Sequence, residues 1–202
     1  LPARNIAVEM AFLPADVAMM LRASLADAGI KNALFVLGRL RAGKTGSGRG
    51  AASQLRSAIT TARSCGATGK IMVRGDSAFG NKAVIAAAIR SGIEFSLAMT
   101  RNPRITRAID SIDEQAWTPV HYPGAVTDPD TGELISEAEV AEVEYTAFSG
   151  RHQVTARLIV RRVKDANYPD ALFPVWRYHP FFTNSDLPTV DADLTHPKHA
   201  IV

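Results

Sequence analysis

Lys70-Ile71-Met72-Val73-Arg74-Gly75-Asp76-Ser77 opens the stretch that decides the fold. Its first five residues read as a strand, and Gly75-Asp76-Ser77 as the turn that ends it. Lys82 to Ser91 is rich in Ala and Ile and stops before Gly92, the pattern of a helix with a glycine C-terminus. Ile93 to Met99 is then a second strand. Strand, helix and strand at this spacing predict a parallel β-α-β unit with a right-handed crossover. The fold class is therefore α/β.

Upstream, Ala51 to Ser64 predicts a helix with Leu55, Ile59 and Ala62 on one face, ended by Gly66. Gly43 to Gly50 holds four glycines among basic and hydroxyl residues and reads as a loop. Ala33-Leu34-Phe35-Val36-Leu37 is a short continuous apolar run, as expected of a strand buried on both faces. Residues 5–28 read as one or two helices, because Ile6, Met10, Leu13, Val17, Met20, Leu21 and Leu25 recur at three- and four-residue steps. Pro14 would interrupt that run and Gly29 would stop it.

Downstream the character changes. A short helix around Ile105–Asp113 leads to Trp117-Thr118-Pro119-Val120 and a turn-rich stretch, Asp128-Pro129-Asp130-Thr131-Gly132. Glu139–Phe148 and Val154–Val163 alternate apolar and polar residues like antiparallel strands, with Ser149-Gly150-Arg151-His152 as their hairpin loop. Tyr178–Thr183 reads as another strand, and Asn184 to His199 as polar and irregular. The expected architecture is a parallel α/β core followed by a β-rich acidic insertion.

Composition narrows the class. The chain has 202 residues, is 47% hydrophobic and 21% charged, and so is neither disordered, collagenous nor a simple coiled coil. Its one cysteine, Cys65, cannot close an intramolecular disulfide and reads as a semi-buried small apolar residue. No apolar run reaches the roughly 18 residues of a membrane span. Leu1-Pro2-Ala3-Arg4 does not open a secretory signal, so a cytoplasmic protein is expected. The net charge of +3 conceals an asymmetry: residues 1–107 carry +11 and residues 108–202 carry −8. Ten carboxylates and no Lys or Arg lie in 108–147. A basic half of this density suits a polyanion such as nucleic acid, or else the two halves neutralise each other across a contact.

Several motifs carry chemistry. Gly38 to Thr45, Gly-Arg-Leu-Arg-Ala-Gly-Lys-Thr, matches the phosphate-binding P-loop and follows a predicted strand. Such a loop needs a helix to begin at its Lys-Thr pair, whereas Gly46-Ser47-Gly48-Arg49-Gly50 follows here. A nucleotide-binding protein using Lys44 and Thr45 is thus the alternative to a plain basic loop. Arg74-Gly75-Asp76 coincides with an adhesion tripeptide, without the extracellular context that would give it meaning. Asp76 lies just past the carboxyl end of a strand, where open α/β sheets place their chemistry. A carboxylate there suits a hard cation such as Mg2+, or it caps the helix starting near Asn81. His196-Pro197-Lys198-His199 lacks a third ligand nearby, and Trp117 and Trp176 read as core residues rather than stacking platforms.

These residues, taken in order, carry a resemblance. Leu40-Arg41-Ala42-Gly43 with its glycine tail, Val73-Arg74-Gly75-Asp76-Ser77-Ala78-Phe79 and Gly92-Ile93-Glu94-Phe95-Ser96 resemble the DDE transposases of bacterial insertion sequences. Asp113-Glu114-Gln115-Ala116-Trp117, Ala156 to Arg162 and Trp176-Arg177-Tyr178-His179 are similar to the same group. The resemblance runs from about Arg39 to Val202. It implies a partial RNase H-like core in which three acids hold two Mg2+ ions, with a β-rich insertion between the second and third acids. Asp76 falls at the second acid, as catalytic residue and metal ligand. The first acid belongs on an upstream strand, where neither Asp16 nor Asp27 has the right context. The third is a Glu that follows the Thr195–Val202 stretch, and the family's Tyr and Arg before it correspond to His196 and His199.

The implied layout is a helical segment over 1–38, the partial core over 39–109, the insertion over 110–185 and a return to the core over 186–202. The implied activity is DNA transposition by metal-dependent cleavage and strand transfer at insertion-sequence ends. The chain is expected to be a fragment that binds double-stranded terminal-repeat DNA without cutting it alone, with a homodimer possible. Arg41, Lys44, Arg49 and Arg74 are the candidate phosphate contacts.

Overall fold

The computed structural model describes residues 5–12, 19–26, 34–39, 50–64, 66–120, 138–165, 167–168 and 172–196. Three strands come first: β1 (Asn5–Phe12), β2 (Met19–Ala26) and β3 (Leu34–Arg39). Helix α1 (Ala51–Ser64) leads to β4 (Ile71–Gly75), α2 (Lys82–Arg90), β5 (Glu94–Ala98) and α3 (Pro103–Asp110). A short strand β6 (Thr118–Pro119) precedes the long hairpin of β7 (Ala138–Ala147) and β8 (Val154–Lys164), then β9 (Trp176–Thr183) and α4 (Thr189–Thr195). The nine described strands form one sheet in the order β3-β2-β1-β4-β5-β9-β8-β7-β6.

Its middle is parallel: β1 pairs with β4 and β4 with β5 in the same direction. The β4-α2-β5 unit expected from the sequence is present, and its register sets Met10, Gly75 and Leu97 side by side. On one flank β2 and β3 run antiparallel; on the other β9 adds antiparallel to β5, and β8, β7 and β6 follow. The β-rich segment is thus joined to the parallel strands through β9.

Local sequence explains the helices. α1 buries Ala51, Leu55, Ala58, Ile59 and Ala62 on one stripe. Gly66, at φ +88°, ends it in a left-handed turn that lets the Ala67 N–H reach the Ala62 carbonyl at 3.1 Å. In α2 the Asn81 carboxamide accepts from the N–H groups of Ala83 and Val84. Asn102 does the same for α3, with Pro103 behind it at a position where no N–H is needed. The core beneath is led by Phe79, Phe95, Phe181 and Phe182, with Phe95 and Phe182 rings 5.5 Å apart.

Three expectations are corrected. The described parts of residues 5–28 are strands β1 and β2 rather than helices. Ile6, Val8, Met10 and Phe12 also recur at every second residue, and pairing with β4 selects that period over the helical one. The described part of the 33–37 run belongs to β3, which reaches Arg39 and, among the described strands, pairs with β2 alone, at the edge of the sheet. Asn184–His199 is not wholly irregular, because α4 forms within it behind Pro188. Thr and Asp are poor helix formers, so tertiary anchors decide that helix. Cys65, the turn at 128–132 and the residues after His196 lie outside the described residues.

Candidate active site

Asp76 is the first residue after β4, half-buried where the parallel strands end. One of its oxygens, Oδ1, accepts from the Ala78 N–H at 2.8 Å, and its carbonyl accepts from the Phe79 N–H at 3.0 Å. This Asx-type turn is self-contained. The cap of α2 is Asn81, so the reading of Asp76 as the helix cap is set aside.

Two glycines make the turn possible. A Cβ on Gly75 would lie 3.2 Å from the fully buried Phe79 ring and 3.4 Å from Leu97. A Cβ on Gly80 would come within 2.1 Å of the Ala98 carbonyl oxygen, far inside contact distance. The turn therefore rests its backbone directly on the end of β5, and only a residue without a side chain permits it.

Beyond the turn lies a cavity of about 390 Å³ lined by Ser77, Arg101, Arg161, Tyr178, His179 and Asp193, among others. Asp193, on α4, is fully buried, and its Oδ1 meets Arg161 Nη2 of β8 at 2.9 Å. Burial and then the charges of Arg161 and Arg177 push the His179 imidazole below its ordinary value, against a smaller opposing pull from Asp193. Arg101 sits over the Tyr178 ring, 5.5 Å from its centroid.

The end of α4 is tied to the same place. His196 is buried, stacked on Phe181 with centroids 4.2 Å apart, and its Nδ1 is 2.9 Å from Ser96 Oγ on β5. Arg74, 4% exposed, donates from Nη1 to the Thr195 carbonyl at 2.6 Å. A guanidinium so enclosed fastens α4 to the end of β4. Arg41, Lys44, Arg49 and His199 lie outside the described residues.

Trp117 and Trp176 flank one cation instead of serving only as apolar filler. The Arg162 guanidinium lies 4.3 Å from one ring centroid and 4.4 Å from the other. It also binds Glu139 at 2.5 Å and Glu114 through both of its terminal nitrogens. The acids of the 108–147 stretch are thus answered partly by arginines of β8, rather than by the basic half.

Sequence reasoning passed over Asp193, Arg161 and His179, which only tertiary packing assembles. It also passed over Glu9, the one acid of β1, whose register partner across the sheet is Arg74, two residues from Asp76. Its place in the alternating run Ile6, Val8, Met10, Phe12 was a usable signal.

The donor chemistry of Asp76 fits a hard divalent cation, since it offers a partly exposed carboxylate. Among the described residues no three His, Cys, Asp or Glu side chains come together to hold a metal ion, so Asp76 by itself offers no complete ligand set. The P-loop alternative finds no support. β3 is antiparallel to its one described neighbour, and α1 starts at Ala51 behind Gly50 at φ +74°, not at Lys44. No described helix is long and apolar enough to cross a membrane.

The mixed α/β sheet with parallel β1, β4 and β5, extended by the β-rich segment, is that of a partial RNase H-like core. The chain belongs to the family of transposase DDE domains, group 1, whose model matches residues 30–178. No curated protein matches the chain.

Proposed function

We propose that this transposase domain acts on the ends of its own insertion sequence, by metal-dependent strand cleavage and strand transfer, with Asp76 as a ligand of Mg2+. The observation that carries the reading is the position of Asp76, on a glycine-supported turn at the end of β4 and next to Ser77, which lines the cavity. Paired Mg2+ ions, when bound, would supply the charge that activates an attacking oxygen and stabilises the leaving one. The chain's part is to hold the Asp76 carboxylate in place at a sheet edge that DNA can reach. The double-stranded terminal repeats are the substrate, a homodimer the expected assembly, and the bacterial cytoplasm the place of action.

With one carboxylate identified for two ions, the reading includes that the 202-residue chain binds end DNA without cutting it unaided. The test adds Mn2+, a paramagnetic substitute for Mg2+, to the chain bound to terminal-repeat DNA and measures uptake by EPR. Uptake lost in Asp76→Asn, with DNA affinity retained, is the expected result. Unchanged uptake removes Asp76 from the metal site, and Mg2+-dependent nicking by the unsubstituted chain overturns the inactivity.

A further inference from the structure

We infer that Arg104 and Arg107 on α3, with Arg101 before it and Arg151 on the facing hairpin, form a phosphate-contact track that leads double-stranded DNA to the Asp76 edge. The inference rests on the transposase reading and adds a surface to it. Residues 101–109 carry three arginines and no acid, and all three are exposed. Ile105 and Ile109 anchor the opposite side of α3 in the core. Arg104 and Arg107, three residues apart, share one helix face.

Charge accounting separates these arginines from their neighbours. On β8, Arg157, Arg161 and Arg162 are each paired with carboxylates of Glu142, Asp193, and Glu114 with Glu139. Among the described residues, Arg101, Arg104 and Arg107 make no ion pair. Their charge remains available to a polyanion.

Placement gives the track a direction. Arg104 Nη1 donates to the Phe148 carbonyl at 3.4 Å, which sets α3 against the β7–β8 hairpin where Arg151 is exposed. At the other end Arg101 lines the same cavity as Ser77, the residue after Asp76. Three residues of helix rise about 4.5 Å. A duplex presents one charge per strand about every 3.4 Å of its axis, so guanidiniums spread along α3 and the facing hairpin can meet different phosphates. Guanidinium contacts of this kind fix position on the duplex without reading its sequence.

The experiment is fluorescence anisotropy of the full chain with a labelled duplex across a range of salt. The double variant Arg104→Glu/Arg107→Glu is compared with Arg56→Glu/Arg90→Glu, the same charge change placed on exposed sites of α1 and α2. The expected result is at least a tenfold loss of affinity for the α3 pair only. The slope of log affinity against log salt should also fall by about two, since each lost phosphate contact removes about 0.9. Arg104→Gln/Arg107→Gln should show the same loss of slope and decides the matter if the Glu pair fails to fold. Unchanged affinity and slope in the α3 variants, or an equal loss in the α1/α2 pair, overturns the track and leaves the transposase reading intact. Failure of the unsubstituted chain to bind DNA at any salt overturns both.

Discussion

Arg161 on β8 and Asp193 on α4 are held together by a doubled contact: Nε and Nη2 both reach Oδ1, at 3.0 and 2.9 Å, while Nη2 also approaches the Asp193 carbonyl at 3.3 Å. The carboxylate is 1% exposed, so this pair and not helix propensity determines where α4 docks. Removing one partner strands a buried charge. Arg161→Leu should therefore destabilise the chain by about 3 kcal/mol, and Arg161→Leu/Asp193→Leu by clearly less. Urea unfolding of the single and double variants checks the prediction; equal losses would show that the pair is not the anchor.

Gly80→Ala should disturb the Asp76 turn more than its one added methyl suggests. The new atom meets a backbone oxygen, which cannot rotate away. Overpacking of this kind costs about 1–3 kcal/mol. A domain of this size then loses roughly 2–4 °C of melting temperature per kcal/mol. Calorimetry reads the loss, and the Mn2+ uptake described above should fall with it. Gly66→Ala makes a useful contrast: it strains a positive φ but meets no atom within 4 Å, so it should lower stability without changing metal uptake.

Acid should weaken the fold in two stages. His179 is held below its ordinary 6.5 by burial and by Arg161 and Arg177, so the unfolded chain takes up a proton before the native one does. Stability is whole above about pH 6.5 and declines as pH drops from there toward the native value. Glu142 belongs to the second stage. Burial pushes its carboxyl up, but hydrogen bonds from Arg157 and Thr189, with the Arg157 charge, outweigh this and leave it below 4.5. Its contribution is present above about pH 4.5 and lost as pH falls through the native value. Denaturant midpoints measured from pH 8 to 3 should show both declines, and His179→Gln should erase the first alone.

Arg162→Lys should not behave as a conservative change. A lysine keeps the charge, but it cannot stack flat between Trp117 and Trp176 or bind Glu114 through two parallel N–H bonds. Stability should fall mainly through the contact with the largely enclosed Glu139, since Glu114 is exposed and its pair is screened by solvent. Tryptophan fluorescence should shift to the red as the two rings separate from the cation. Unaltered emission and stability would show that the sandwich is incidental.

The legible parts of this fold were those whose short-range pattern has one solution. Val73, Gly75 and the Ala-rich run to Gly92 admit only strand, turn and helix, and the structure follows them within a residue or two. Residues 5–12 admit two solutions, since Ile6 and Met10 fit a helical stripe while Ile6, Val8, Met10 and Phe12 fit a strand face. The choice between them is made by β4, some sixty residues away. The place of Asp76 just past β4 was readable because a turn-forming Gly-Asp-Ser after an apolar run is a local signal. Arg161, His179 and Asp193 were not, because they come from three elements that meet only when β8, β9 and α4 pack. The bond from Arg74 to the Thr195 carbonyl was unreadable for the same reason, since the two lie 121 residues apart in the chain.

Thr183 of β9 stands opposite Ser96 of β5 on one side and Arg157 of β8 on the other, and its hydroxyl is bonded to the Phe95 carbonyl at 2.6 Å. The β7–β8 arm and the strand that carries the Asp76 turn are consequently parts of one plank, with no joint between them. The path from the arm to the Asp76 turn runs through hydrogen-bonded strands, β8 to β9 to β5 to β4, rather than through a loop.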